Sequence, residues 1–159
     1  MSGSPPRVAI LILNWNDLRN TVETLMSVRS LTYPDFEVWV VDNGSTDGSR
    51  EAVANHFPEA RVIASSKNLG APGGRNLGLE AILHRSNNDY VLFLDNDVVV
   101  EPRLVDKLVA AAESQSHVGI VGPIVYYYSD PRRIWSAGAS IVFREGTAKS
   151  RARNRLEQE

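Results

Sequence analysis

Continuous apolar runs alternate with amphipathic segments along most of the chain. Unbroken aliphatic and β-branched runs are typical of strands buried on both faces of a parallel sheet, whereas helices repeat their apolar positions every three to four residues. The runs predict strands at residues 8–13, 37–41, 60–64, 90–94 and 118–121. Helices are predicted at residues 18–29, 49–56, 74–85 and 102–114. This alternation predicts an α/β fold, with an open, mostly parallel sheet and helices on both faces.

Polar residues concentrate in the loops that follow the predicted strands. They are Asn14, Asn16 and Asp17 after the first strand, Asp42, Asn43, Ser45 and Thr46 after the second, Asn68, Gly70, Gly73 and Gly74 after the third, and Asp95, Asn96 and Asp97 after the fourth. In an open parallel sheet these loops share one edge, and ligands bind in the crevice outside the carboxyl ends of the strands. The pattern therefore predicts a binding site at that edge.

Asp95 and Asp97 interrupt the apolar stretch YVLFLDNDVVV at residues 90–100. Two carboxylates one residue apart lose hydration and repel each other unless a positive group lies between them. Carboxylate oxygens suit Mg²⁺ or Mn²⁺ and leave coordination positions for phosphate oxygens. The alternative is that both residues serve a turn or a helix cap, positions that Asp and Asn favour. The motif alone leaves both interpretations open.

A glycine-rich stretch, NLGAPGGRNLG at residues 68–78, leads into a predicted helix. Small residues allow close backbone approach, free N–H groups at a helix N-terminus attract phosphate, and Arg75 adds a positive charge. Neither the P-loop pattern nor the strict dinucleotide fingerprint is present. The alternative is a flexible loop that carries a solvated Arg75.

Three further residues are candidates for ligand contacts or for structural roles. Asp42 ends a buried strand, where a carboxylate can accept a hydrogen bond from a base or a ribose, although a turn explains it equally well. Asp47 is better explained as a helix N-cap. Trp15 can stack on a base or pack against the protein.

Composition and charge narrow the class of protein. At 159 residues with 43% hydrophobic residues, the chain has the length and composition of one soluble domain, and no apolar run approaches the roughly 20 residues of a membrane-spanning helix. A net charge of −2 argues against general nucleic-acid binding. The lack of cysteine excludes disulfides and cysteine zinc sites and fits a cytoplasmic protein. Residues 1–7 are expected to form a disordered lead-in, and residues 144–159 a charged, flexible tail that is solvated and not a binding patch.

The four loops in this order resemble the inverting nucleotide-sugar glycosyltransferases with the GT-A fold, of the family 2 type. The matching stretches are VAILILNWN at residues 8–16, VVDNGSTDGS at 40–49, residues 68–78 and LDND at 94–97. The GGRN wording at residues 73–76 and WSAGAS at 135–140 are most similar to the rhamnosyltransferase branch. The resemblance extends from about residue 8 to about residue 140.

The resemblance implies a Rossmann-like donor domain over residues 8–143 and a set of site residues. Residues implied to bind the donor nucleotide are Asn14, Trp15, Asp42, Asn68, Gly70, Arg75, Asp95 and Asn96. Asp95 and Asp97 are implied ligands of Mg²⁺ or Mn²⁺. The implied donor is a UDP- or dTDP-linked sugar, transferred in a single displacement with inversion to a saccharide or lipid-linked acceptor, as in the synthesis of cell-envelope polysaccharides.

The chain departs from the family after the DND motif, where members carry an acceptor-binding region with an acidic general base. Glu145, Glu157 and Glu159 lie in the tail and Asp130 in an unmatched loop, and none of them matches such a motif. The catalytic base is therefore unassigned, and the chain is expected to be the donor-binding part of a longer enzyme that associates peripherally with a membrane.

Two alternatives stay open. A non-catalytic nucleotide-sugar-binding module would need the same donor site without the base. A phosphoacceptor receiver domain also ends a buried strand in Asp, but it requires an acidic pair after the first strand and a lysine after the fifth. This chain has Asn14 and Gly122-Pro123 at those positions.

Overall fold

The computed structural model describes residues 4–156. The elements in chain order are β1 (Val8–Asn14), α1 (Leu18–Arg29), β2 (Phe36–Asp42), α2 (Ser49–His56), β3 (Ala60–Ala64), α3 (Gly70–Arg85), β4 (Tyr90–Asp95), α4 (Leu104–Glu113), β5 (Val125–Tyr127), β6 (Asp130–Ser136), β7 (Ala139–Val142) and β8 (Thr147–Ser150). The described residues cluster into two compact units that divide after Val105. No helix among them is long and apolar enough to cross a membrane.

The first unit is built on a four-stranded sheet in the order β3-β2-β1-β4. All three strand pairs are parallel, which confirms the predicted α/β class. The register places Asn14 opposite Asp42 and Leu13 opposite Asp95. Because the strands end level with one another, the loops that follow β1, β2 and β4 meet at the same edge of the sheet.

Helices cover both faces of this sheet. On one face, Ile82 of α3 packs into a buried cluster with Ala9, Leu11, Trp39 and Val41. On the other, Leu25 and Val28 of α1 and Phe36 and Val38 of β2 line a small cavity of about 170 Å³. Strands buried from both sides carry apolar residues at successive positions, which explains the unbroken runs in the sequence.

Gly78 allows α3 to approach the sheet closely. A Cβ atom at this position would lie 2.5 Å from Leu11 Cδ1 and 2.7 Å from Val41 Cγ2. Gly78→Ala is therefore expected to lower the free energy of unfolding by about 1–3 kcal/mol in urea denaturation, although alanine favours helix in general. Gly119→Ala is the control, because a Cβ there meets nothing within 4 Å. Equal stability of the two variants would contradict this account of the packing.

Three predicted elements differ from the structure. The predicted strand at residues 118–121 is wrong: this segment belongs to none of the eight strands of the described chain, and Ile120 is 95% exposed between Gly119 and Gly122, residues that a strand disfavours. Helix α3 begins at Gly70, four residues before the predicted start, because Pro72 lies in its first turn, where a missing N–H breaks no helical hydrogen bond. Helix α4 begins at Leu104, and Pro102 lies in the turn before it.

The second unit contains two antiparallel strand pairs, β5 with β6 and β7 with β8. Strand β8 lies within the stretch that the sequence predicts to be a tail.

Near the N-terminus of the chain, the carbonyl of Pro6 accepts a hydrogen bond from Tyr33 Oη, and the Arg7 N–H donates to Asp89. Residues 1–3 and 157–159 lie outside the described residues. The expected domain limits at residues 8 and 143 stay predictions.

Candidate functional site

A cleft of about 380 Å³ lies at the carboxyl edge of the parallel sheet. Its lining consists of Leu13, Trp15, Asp17, Asn43, Asn68, Gly70, Ala71, Arg75, Asp95, Asn96 and Asp97. Most of the predicted site residues are among these, and all of them belong to the first unit. The loops after all four strands of the sheet and the beginning of α3 therefore contribute to one concave surface.

Asn14 and Asp42, which the sequence predicts to bind the donor nucleotide, do not line this cleft. They are 1% and 3% exposed. The Asn14 amide donates to Asp42 Oδ1 over 3.2 Å and to Ser45 Oγ over 3.1 Å, and the Ser45 N–H donates to Asp42 Oδ2 over 3.2 Å. Thr21 Oγ1 donates to Asn14 Oδ1 over 2.8 Å. In this structure Asn14 and Asp42 are buried below the cleft surface, where their hydrogen bonds hold the loop after β2.

Trp15 lies in the turn after β1 and is 53% exposed. The next residue, Asn16, has a φ of 50°, a left-handed conformation that Asn tolerates better than most residues. The Asn16 side-chain oxygen accepts from the Thr46 N–H over 2.7 Å, which fixes this turn to the loop after β2. A fixed turn therefore presents a half-exposed indole ring at the cleft, so that the ring has a face free to stack.

Asp47 joins the starts of two helices. Its carboxylate accepts hydrogen bonds from the Ser49 hydroxyl, from the Ser49 N–H at 3.0 Å and from the Leu18 N–H at 3.3 Å. The Ser49 hydroxyl has the largest effect, and with the backbone N–H groups it outweighs burial and holds the pKa of Asp47 below its ordinary value. The N-cap residue of α2 is Gly48 and not Asp47, because the chain needs a φ of 82° at that point.

Asn43 holds the glycine-rich loop in place. Its side-chain amide donates to Asn68 Oδ1 over 3.0 Å and to the Gly70 carbonyl over 3.3 Å, while its Oδ1 accepts from the Leu69 N–H over 3.0 Å. The residue is 2% exposed. These bonds span two loops and fix the backbone that enters α3.

Small residues at the start of α3 bring this helix against the sheet and the Asn43 loop. A Cβ on Gly74 would lie 2.5 Å from Leu13 Cδ1 and 3.2 Å from the Asn43 side chain. The following residue, Arg75, places Nη2 2.5 Å from Asp95 Oδ1. The first two turns of α3 thus present the positive end of the helix dipole and, at Arg75, a guanidinium group at the cleft.

Three hydroxyl groups on α1 hold the segment that carries Asp97. Thr21 Oγ1 accepts from the Asn96 side-chain amide over 3.0 Å. Thr24 Oγ1 donates to the Val98 carbonyl over 2.8 Å and accepts from the Val98 N–H over 3.2 Å, and Ser27 Oγ accepts from the Val100 N–H over 3.2 Å. We call Thr21, Thr24 and Ser27 the hydroxyl row. Asp97 lies between two residues that this row fixes.

The sequence interpretation missed the hydroxyl row and Asn43. On α1 the apolar Met26 is 55% exposed, whereas the polar Thr21 and Thr24 are 0% exposed, so the buried face of this helix is partly polar. A signal was present, since Thr21, Thr24 and Ser27 recur every three residues on one helix face. Polar residues at this spacing indicate a helix that binds backbone groups of a neighbouring loop.

Two of the acidic residues considered as bases, Asp130 and Glu145, belong to the second unit and form ion pairs there. Asp130 forms ion pairs with Arg132 at 3.8 Å and Arg133 at 3.5 Å, and Glu145 forms one with Lys149 at 3.5 Å. Glu157 and Glu159 lie outside the described residues. The base stays unassigned.

The chain matches known proteins in sequence. The family model described as Glycosyl transferase family 2 matches residues 9–158. Glycosyltransferase AglE of Haloferax volcanii is 32% identical over 128 residues, which cover 77% of this chain and 40% of that protein. The N-acetylglucosaminyl-diphospho-decaprenol L-rhamnosyltransferase of Mycobacterium tuberculosis is 28% identical over 108 residues, covering 64% of this chain and 35% of that protein. The chain thus spans well under half of the length of these relatives.

A solved structure shares the fold. The mannosyltransferase PcManGT from Pyrobaculum calidifontis, in complex with GDP-Man and Mn²⁺, superposes with a TM-score of 0.62 and 27% sequence identity, over 79% of this chain and 37% of that one. This agreement confirms the Rossmann-like GT-A architecture that the resemblance implies. With a family model that matches residues 9–158, the chain belongs to glycosyl transferase family 2.

Proposed function

We propose that this chain is the donor-binding part of a metal-dependent glycosyltransferase that moves a sugar from a nucleoside diphosphate with inversion. The observation that carries the proposal is the composition of the cleft. A half-exposed indole ring, a helix N-terminus with Arg75, and the carboxylates of Asp95 and Asp97 lie within one surface. These groups suit, in turn, a base, a diphosphate and a divalent cation.

The donor atoms of Asp95 and Asp97 fit a divalent cation that arrives with a diphosphate. Among residues 4–156, no group of three or more His, Cys, Asp or Glu side chains could hold a metal ion by itself. Magnesium is commonly bound by one or two carboxylates plus substrate phosphates and water, so two carboxylates suffice when the diphosphate supplies the rest. Arg75 already places a positive charge against Asp95. When bound, Mg²⁺ or Mn²⁺ would offset the charge that develops on the diphosphate leaving group.

The remaining site residues take roles that follow from their positions. Trp15 stacks on the base, and Asn14 and Asp42 support the base side from beneath. Asn68 and Gly70 shape the backbone against which the diphosphate rests, and Arg75 pairs with its oxygens. Asp95 and Asn96 face the ribose. These assignments are proposals that mutation of each residue can test.

Transfer requires an acceptor hydroxyl that attacks the anomeric carbon opposite the leaving diphosphate, so that the new bond forms as the old one breaks with inversion. A general base takes the hydroxyl proton. We place this base in a part of the enzyme other than this chain, and we expect the isolated chain to bind the donor with little or no turnover. The lipid diphosphate in the name of the mycobacterial relative supports a lipid-linked saccharide as acceptor, met by a peripheral enzyme at the cytoplasmic side of the cell envelope.

Calorimetry with UDP, dTDP and GDP, each with and without Mn²⁺, tests this proposal. One of the three nucleotides is expected to bind. Mn²⁺ is expected to raise the affinity for this nucleotide about tenfold or more, the size of a charge-assisted contact. Asp97→Asn is expected to remove this Mn²⁺ effect, because the substitution deletes a ligand charge. Asp35→Asn is the matched control, since Asp35 pairs with Arg7 before β2, at the opposite edge of the sheet. Nucleotide binding that depends neither on Mn²⁺ nor on Asp97 would overturn the proposal.

A further inference from the structure

We infer that Arg75 serves as an internal counter-cation for Asp95 in the free protein, so that the nucleotide must bind before the metal ion. The inference rests on the proposed donor site and adds an order of binding to it. Arg75 Nη2 lies 2.5 Å from Asp95 Oδ1, and both side chains line the cleft. One of the two carboxylate oxygens of Asp95 is therefore already paired with a cation in the free protein.

The Arg75–Asp95 ion pair can separate at little energetic cost. The two side chains are 43% and 63% exposed, so they face the cleft and are not locked into the core. Exposed ion pairs contribute little to stability, which means that their exchange for other partners costs little. Arg75 itself lies in the second turn of α3, a rigid element from which its long side chain can reach different partners.

Arg75 is the one cationic residue among those that line the cleft in the described part of the chain. The other acidic lining residues are Asp17 and Asp97. Asp17 accepts hydrogen bonds from the side-chain amides of Asn20 at 3.0 Å and Asn96 at 3.4 Å. In the free protein the positive charge at this carboxylate cluster is thus supplied by one side chain, which is committed to Asp95.

These charges favour one order of events. A divalent cation that approaches Asp95 and Asp97 alone meets the repulsion of the guanidinium group and must displace it. A diphosphate offers Arg75 a bidentate oxyanion partner, and this partner draws the guanidinium away from Asp95. The metal ion then finds both carboxylates and the phosphate oxygens available together. Metal binding before the nucleotide is disfavoured by the same charge that favours the nucleotide.

Titration of Mn²⁺ alone into the chain, followed by electron paramagnetic resonance, tests the inference without any transfer reaction. Arg75→Gln is expected to bind Mn²⁺ about tenfold more tightly than wild type, the size expected for removal of one charge a few Å from a divalent cation in a wet site. Arg75→Lys keeps the charge and is expected to bind Mn²⁺ like wild type. Asp97→Asn added to Arg75→Gln is expected to abolish the gain, which locates the ion at this site.

The inference is overturned if Arg75→Gln binds Mn²⁺ alone no more tightly than wild type, or if the gain survives Asp97→Asn. Thermal melts establish that the variants are folded, which the exposure of Arg75 favours. Failure of the proposed function has a different signature, because wild type would then bind no nucleoside diphosphate, or would bind it with no effect of Mn²⁺. A wild type that binds the nucleotide with Mn²⁺, beside an Arg75→Gln variant without the Mn²⁺ gain, rejects the binding order alone.

Discussion

Thr24→Val is expected to lower the free energy of unfolding by about 2–4 kcal/mol, because it leaves two backbone groups without their partner. Valine has nearly the shape of threonine, so the packing of this fully buried side chain is retained. The hydroxyl that bonds both the N–H and the carbonyl of Val98 is lost. An unsatisfied buried polar group costs about 1–3 kcal/mol, and this change leaves one donor and one acceptor, both partly buried, without a partner. Urea denaturation measures the difference.

The same substitution is expected to weaken Mn²⁺-dependent nucleotide binding, since Val98 adjoins the proposed metal ligand Asp97. Thr24→Ser is the matched control: it keeps the hydroxyl and removes one methyl group, at a cost of about 1 kcal/mol. Calorimetry should then show that Thr24→Ser binds the nucleotide with nearly wild-type affinity in the presence of Mn²⁺, whereas Thr24→Val binds it more weakly. If both variants were equally stable and bound the nucleotide equally well, the hydroxyl row would have no positioning role.

The elements of the parallel sheet were predictable because burial on both faces leaves a strong local signal. The runs before Asn14 and Asp42 contain almost only aliphatic and β-branched residues, and the observed strands extend the predicted ones by one residue at most at each end. Residues 118–121 carry a weaker form of this signal, three β-branched residues interrupted by Gly119, and they form no strand. A strand also needs a partner edge, and the availability of that partner is a tertiary property that four residues do not encode.

The location of the cleft was predictable from topology, whereas the contacts within it were not. Polar residues after parallel strands must meet at one edge, which is how Trp15, Arg75 and Asp95 come to share a cleft. Which of them face the cleft depends on hydrogen bonds between loops far apart in sequence. Asp42 illustrates this point, because its carboxylate is already bonded to Asn14 and to the Ser45 N–H beneath the surface.

The role of Asn43 was hidden for the same reason. In the sequence it is one of several polar residues in a turn, and nothing local separates it from Ser45 or Thr46. In the fold it bonds three groups of the loop before α3, and Gly44 beside it allows this contact, since a Cβ there would lie 2.6 Å from the Lys67 carbonyl carbon. Asn43 and Gly44 together set how the glycine-rich loop meets the cleft.

Asn43→Asp is expected to destabilise the protein by about 3–5 kcal/mol at neutral pH, the cost of a buried charge without a partner. The substitution preserves size and keeps an acceptor for the Leu69 N–H. It replaces the amide donor with a carboxylate oxygen that faces Asn68 Oδ1 and the Gly70 carbonyl. Three oxygens then lie together in a site that is 2% exposed in the wild type. Asn43→Ala, which removes the side chain without adding a charge, is the comparison.

The destabilisation by Asn43→Asp is expected to grow as pH rises, and this dependence separates charge from shape. Burial and the two facing oxygens raise the pKa of the introduced carboxyl above the value of about 3.9 that it has in the unfolded chain. Below that value the group is protonated in both states, and its single O–H can replace one of the two hydrogen bonds that the amide donates, so the penalty is smallest there. Between the unfolded and folded pKa values the penalty grows by about 1.4 kcal/mol per pH unit. Urea denaturation of the three proteins from pH 4 to pH 8 should show this slope for Asn43→Asp and none for Asn43→Ala relative to wild type. A penalty for Asn43→Asp that stays constant over this range would mean that the introduced carboxylate reaches solvent or a cation, and that the Asn43 amide does not hold the loop before α3.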